Sequence, residues 1–394
     1  MNKYLKSDEF VKICYEADFS IPDILRIIRE LHPGYTVRPY QIEARIANYR
    51  RKGLLPLDSG NIVSHGEILK GTSTLYDEDG NIKLQWIKSD VAREQQFEAV
   101  KTAIESIVSD INPVEPVQSP LEDTLDEDLL TFYPLPDLHL GVLINNVESN
   151  HEYNYDTKIA TAWITGAMNY LVDRAPSSTD CVIADLGDFL HSADNSARTV
   201  SGHILDMDGR ISQIIKISYQ CITTLIDKAL TKHKNIYFYS VPGNHSQDAP
   251  IYLKAFLQAW YKNEPRVKIF EPNKEQQYYR FGKVILGFSH GHTAKPAKGE
   301  SILIADNIDY ISKSKYRYMH WGHYHKDKVI DGPLVKQEIH QNIMPRDAWA
   351  EGMGFRGNIG IAKSIVYHKE YGEISRNTFN IQMRPDLVKK AKAE

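Results

Sequence analysis

Five short clusters of Asp, Asn and His punctuate the chain between residues 137 and 325, and each follows a run of strand-type residues. They are PDLHLG with Asp137 and His139, LGDFLH with Asp188 and His191, PGNHS with Asn244 and His245, SHGH with His290 and His292, and WGHYH with His323 and His325. The preceding runs, LLTFYPL, CVIADL, IYFYSV, KVILGFS and YRYMHW, alternate with helix-like stretches near 156–175, 210–230, 250–262 and 299–311. That alternation means a layered α/β fold. Ligand sites in such folds gather beyond the C-terminal ends of strands, so the five clusters are expected to converge on one crevice.

The donor types narrow the chemistry. Hard oxygens from Asp and Asn mixed with imidazoles, and no thiolate, suit manganese, iron or zinc at a two-metal centre better than a structural zinc or a calcium loop. Cys14, Cys181 and Cys221 are far apart and form no C-x-x-C pair, so they are expected as buried small hydrophobes. A net charge of −4, from 47 basic and 51 acidic residues, gives no global field that would mark nucleic acid or a membrane as partner. There is no signal-peptide pattern at the start and no long apolar run, which predicts a cytoplasmic chain without membrane contact.

At 394 residues the chain is expected to hold two domains. Residues 1–111 read as a helical, winged-helix-like domain. Ser20 and Pro22 start one helix, and Ile42, Ile46 and Tyr49 share a face of the next, with Gly53 as its stop. Strand-like alternation on either side of DEDGN predicts a hairpin in the place of a wing, followed by a helix near 91–109. Arg45, Arg50, Arg51 and Lys52 could meet backbone phosphates, or form a solvated helix end that suits the macrodipole. Residues 112–128 hold three prolines and six acids without a base, the composition of a solvated linker. Residues 129–394 then carry all five clusters.

In their order and spacing the clusters resemble the calcineurin-like metallophosphoesterase superfamily, whose pattern is D-x-H, G-D-x-x-D/H, G-N-H, H and G-H-x-H. The resemblance implies a four-layer α/β sandwich, two mixed sheets flanked by helices. It implies two divalent ions, manganese first, with iron, zinc or magnesium as alternatives. Asp137, His139 and His325 would hold one ion, Asn244, His290 and His323 the other, and Asp188 would bridge them. His245 would contact the scissile phosphate and serve the leaving oxygen. His191 resembles a position near the substrate in SbcD-type DNA repair nucleases, whereas protein phosphatases carry Asp there. Those nucleases follow G-N-H with an acid, where this chain has Ser246. The whole layout also looks like metallophosphoesterases encoded by bacteriophages.

The reading is therefore a DNA phosphodiesterase, with a phosphomonoesterase or small-nucleotide phosphodiesterase as the second enzymatic reading. A DNA-binding or partner-docking protein with ancillary esterase activity is a third. DNA is the expected substrate, a homodimer is an open expectation, and no ATPase partner is implied. Asp194, Asn195, Arg198, His203, Asp206, Asp208 and Arg210 are expected along the crevice mouth, and Arg346, Asp347, Trp349 and Arg356 on a loop that could fold over it. His292 is expected behind the ligands rather than among them.

Overall fold

The computed structural model describes residues 10, 12–14, 20–31, 37–51, 67–76, 82–91, 115–117, 120, 122–147, 154–199, 204–270, 273–347, 351–352 and 360–388, with backbone alone for 31, 50–51, 67–76, 82–91 and 122. The chain divides into two compact units, Met1–Ala103 and Ile104–Glu394.

In the first unit α1 (Ile21–Leu31) and α2 (Pro39–Arg51) bury Ile24, Ile28, Ile42, Ile46 and Tyr49 in one core with Phe10, Ile13, Cys14 and Val37. These are the i, i+4 and i+3 positions that periodicity picks out. The expected hairpin is present as antiparallel β1 (Glu67–Tyr76) and β2 (Ile82–Val91). The DEDGN turn between them and the helix expected at 91–109 lie outside the described residues, the latter apart from its first residue. Arg45 donates to Tyr49 Oη at 3.0 Å and stacks over the same ring, so its guanidinium is tied to its own helix.

The second unit holds two mixed sheets. One runs β13 (Gly372–Asn380), β12 (Ile361–His368), β3 (Asp126–Leu135), β4 (Ser178–Asp185), β5 (Asn235–Ser240), β6 (Val267–Ile269), and its last four strands are parallel. The other runs β10 (Lys328–Asp331), β11 (Lys336–Ile339), β9 (Tyr316–Trp321), β8 (Val284–Ser289), β7 (Gln277–Phe281), with β11, β9 and β8 parallel. Phe132, Val182 and Ile365 of the first sheet meet Leu286, Phe288 and Tyr318 of the second in one core, so the sheets pack face to face. Helices α3 (Thr157–Arg174), α4 (Ile211–Leu230) and α5 (Ala249–Trp260) contact the first sheet or one another. On the outer face of the second sheet, Ile285, Met319 and Trp321 pack on Leu303 of α6 (Gly299–Asp306), which α7 (Ile308–Ile311) follows. This is the four-layer α/β architecture that the resemblance implied. The central strands are buried on both faces, which is why they read as continuous apolar runs rather than alternating ones.

All three cysteines are buried. The acidic segment is not solvated throughout: Val117 N donates to Glu264 Oε2 at 3.0 Å and Val117 O accepts from Arg266 Nη2 at 2.5 Å. β3 takes up Asp126 to Asp128, the last residues of that segment.

Candidate metal centre

Each cluster sits just beyond a strand of the two facing sheets: β3, β4 and β5 in one, β8 and β9 in the other. The first two are zipped together by their backbones, Asp137 N to Gly187 O at 3.2 Å and His139 N to Asp188 O at 2.9 Å. The chain turns sharply at these points. Among the described residues six non-glycine positions have positive φ, and five of them are Asp137, His139, Asp188, His323 and His325. A left-handed backbone at such residues costs on the order of 1–3 kcal/mol each and persists only where the surroundings enforce it. The motif glycines explain part of that enforcement. A Cβ at Gly187 would lie 2.6 Å from His290 Nδ1, and one at Gly243 would lie 2.0 Å from Asp188 Oδ1.

The side chains gather into two groups. In the first, His325 Nε2 lies 3.2 Å from Asp137 Oδ1 and 3.2 Å from His139 Nε2. In the second, His290 Nε2 lies 3.0 Å from both Asp188 Oδ2 and Asn244 Oδ1, and a ring nitrogen of His323 lies within 4.8 Å of the donors of Asp188 and His290. The groups adjoin: His323 N donates to both carboxylate oxygens of Asp137, and His290 Nδ1 is 4.0 Å from Asp137 Oδ1. Asp188 stands with the second group, its Oδ1 accepting from His245 N at 2.8 Å.

Backbone carbonyls fix two of the tautomers. His290 Nδ1 donates to Leu186 O at 2.8 Å, which leaves Nε2 aimed at the oxygens of its group. His139 Nε2 lies 3.2 Å from His325 Nε2 and its Nδ1 lies 3.3 Å from His191 Nδ1, contacts that either tautomer of His139 can make. His245 Nδ1 donates to His191 O at 2.9 Å. The ring orientation of His245 is thus set by a backbone carbonyl, while Ser246 Oγ donates to Leu190 O.

The electrostatics ask for one cation in each group. Burial works against a charged His290, but Asp188 and Asp137 outweigh it and lift its pKa to about 9. His325 is likewise raised, burial being outweighed by Asp137. Burial raises the Asp188 carboxyl, but His290 outweighs it and holds it well below the carboxylate range. Burial pushes His139 well below its ordinary value, His191 to about 3 and His323 to about 4, with neighbouring histidines adding to it. Each buried carboxylate therefore draws a positive charge onto a neighbouring imidazole, a charge that a divalent ion would supply while displacing the proton. The residues fit such ions in number, donor type and tautomer.

All of the expected ligands come together, as do His191 and His245, whose rings flank His139. His292 stays behind His290, its ring centroid 5.2 Å away and both nitrogens without a hydrogen-bond partner. The expected mouth residues divide. Asp208 Oδ2 accepts from Thr157 N and Asn195 Oδ1 from Ile211 N, so both serve helix starts, while His203 lies outside the described residues. In the loop, Arg346 pairs with Glu351 at 3.3 Å; Trp349 and Arg356 lie outside the described residues. Sequence reasoning missed Asp185, whose oxygens take Gly187 N at 3.0 Å and Ser240 Oγ at 2.5 Å and so shape the turn before Asp188. Its signal was an acid closing the apolar run CVIAD.

No protein-family model matches the chain, and no curated protein matches it. Similar solved structures include an archaeal phosphodiesterase at 14% identity, covering 63% of this chain and 99% of its own, with a TM-score of 0.32. YfcE, a phosphoesterase from E. coli, is 11% identical over 63% of this chain and 98% of its own, TM-score 0.30. Vps29 from Chaetomium thermophilum is 12% identical over 64% and 98%, TM-score 0.27. At these scores they add nothing to what the site itself supports.

Proposed function

We propose that the chain is a metal-dependent phosphoesterase, and more narrowly a phosphodiesterase that cuts DNA. The observation that carries the reading is the pair of adjoining, cation-demanding groups on strained strand ends. Asp137, His139 and His325 would hold one divalent ion and Asn244, His290 and His323 the other, with Asp188 between them. Two such ions, manganese first, would supply Lewis acidity to phosphoryl oxygens and to water.

The protein's own groups do the rest. His245, oriented through Nδ1–H by the His191 carbonyl, would donate from Nε2 to a leaving oxygen in its imidazolium form, in which both ring nitrogens carry a proton. His191 is buried and neutral, so it can buttress His139 without repelling a bound cation. The finer choice of DNA is supported by His191 in the place where the related phosphatases carry Asp, and by the helix pair and hairpin of the first unit. Arg26, Arg29 and Arg38 are exposed in that unit and could meet phosphates.

The test is cleavage of labelled single- and double-stranded DNA beside bis-p-nitrophenyl phosphate, with manganese, by wild type, His245→Ala and Asp188→Ala. DNA cut by wild type and lost at least a hundredfold in both variants is the expected result. If only the small diester is cut, the site is right and the substrate is a smaller phosphate ester. If neither is cut, the reading fails.

A further inference from the structure

A second buried group of metal-type donors, His320, Glu338 and His340, lies outside the site. Its contacts argue against an ion there. Glu338 Oε1 takes Lys363 Nζ and Arg376 Nη1, both at 3.0 Å, and Oε2 takes Arg376 Nη2 at 3.1 Å. Two cations already neutralise that carboxylate. His320 Nδ1 and His340 Nε2 bond to each other at 2.9 Å, and Tyr367 Oη closes on His320 Nε2 at 3.1 Å. The members come from β9, β11, β12 and β13, so the group is a polar brace between the two sheets.

The brace has an arm that reaches the proposed centre. Lys363 Nζ also donates to Asp327 Oδ1 at 3.0 Å, and the same oxygen accepts from Gln341 N at 3.1 Å. Asp327 is two residues beyond His325. Among the described residues, no backbone group of 325–327 bonds to another backbone group. His325 is itself in the left-handed region, with φ at 48°. Something must hold that loop, and on its C-terminal side the Asp327 carboxylate anchors it just before β10 enters its ladder at Lys328.

We propose that Asp327 and Lys363 are positioning residues that hold His325 in its ligating pose, coupling the inter-sheet brace to the first metal position. The proposal rests on the two-ion reading above. Asp327 is 40% exposed at its side chain, so its replacement should spare the fold, whereas Lys363 is mostly buried.

Calorimetric titration of the chelated protein with manganese tests it, with cobalt absorption as a second readout of the ligand field. Wild type should bind two ions. Asp327→Ala should weaken one of them about 10- to 100-fold, the range for groups that orient metal ligands. Asp327→Asn, which keeps the accepting oxygen, should recover most of the loss. Lys363→Met should resemble Asp327→Ala, and the double variant should be no worse than either. Two unchanged affinities in a folded Asp327→Ala would overturn the brace and leave the metal reading standing. No binding by wild type would overturn the metal reading, and the brace with it.

Discussion

Single residues carry the chemistry here, and most of them were readable because their types are costly to place without a reason. An Asp or His at the end of an apolar strand must find partners once buried, and five such ends in a known order leave few alternatives. What could not be read was the backbone. The positive φ of Asp137, His139, Asp188, His323 and His325 is a property of how the loops interlock, which one sequence does not display. Nor could the brace be foreseen, since Asp327 and Lys363 are 36 positions apart and look like ordinary surface charges. At this scale Gly243→Ala is decisive. Its methyl would lie 2.0 Å from Asp188 Oδ1 and 2.3 Å from Asp188 N, so the loop or the carboxylate must move. The variant should fold, yet lose about a hundredfold or more in phosphodiester turnover, measurable on bis-p-nitrophenyl phosphate.

At the level of elements, strands buried on both faces announced themselves as short apolar runs, and the helices by their period. The docked part of the acidic segment did not. Its composition is that of a linker, but a backbone N–H and C=O at Val117 needed only Glu264 and Arg266 as partners, 147 and 149 positions away. The start of α3 draws on a distant residue, Asp208, and on its own cap. α3 is capped by Asp156, whose Oδ1 accepts from Ile159 N at 2.7 Å. Asp156→Ala should cost about 1 kcal/mol, a fall in Tm of roughly 2 °C by calorimetry, without changing turnover.

For the whole molecule, buried histidines set the pH response. His233 and His340 are pushed down to about 4 by burial, His191 to about 3, and His320 well below its ordinary value by burial and His340. Between pH 6.5 and 4 the unfolded chain binds these protons and the folded one does not, so stability falls as pH falls. Asp185, raised to about 7 by burial, acts the opposite way in that window but is one group against several. His290, at about 9, is protonated when folded between pH 6.5 and 9, so without metal stability falls as pH rises through that range. The chelated protein should therefore be most stable near pH 6.5. His233→Gln should blunt the acid limb, and added manganese should flatten the alkaline one, both visible in Tm against pH.

The central claim is that two cations belong between the strand ends. Anomalous diffraction at the manganese edge from crystals grown with that ion tests it most directly. The account predicts two peaks, one among Asp137, His139 and His325 and one among Asn244, His290 and His323, with Asp188 between them. No peak in this crevice, or a peak at His320, Glu338 and His340 instead, would contradict it.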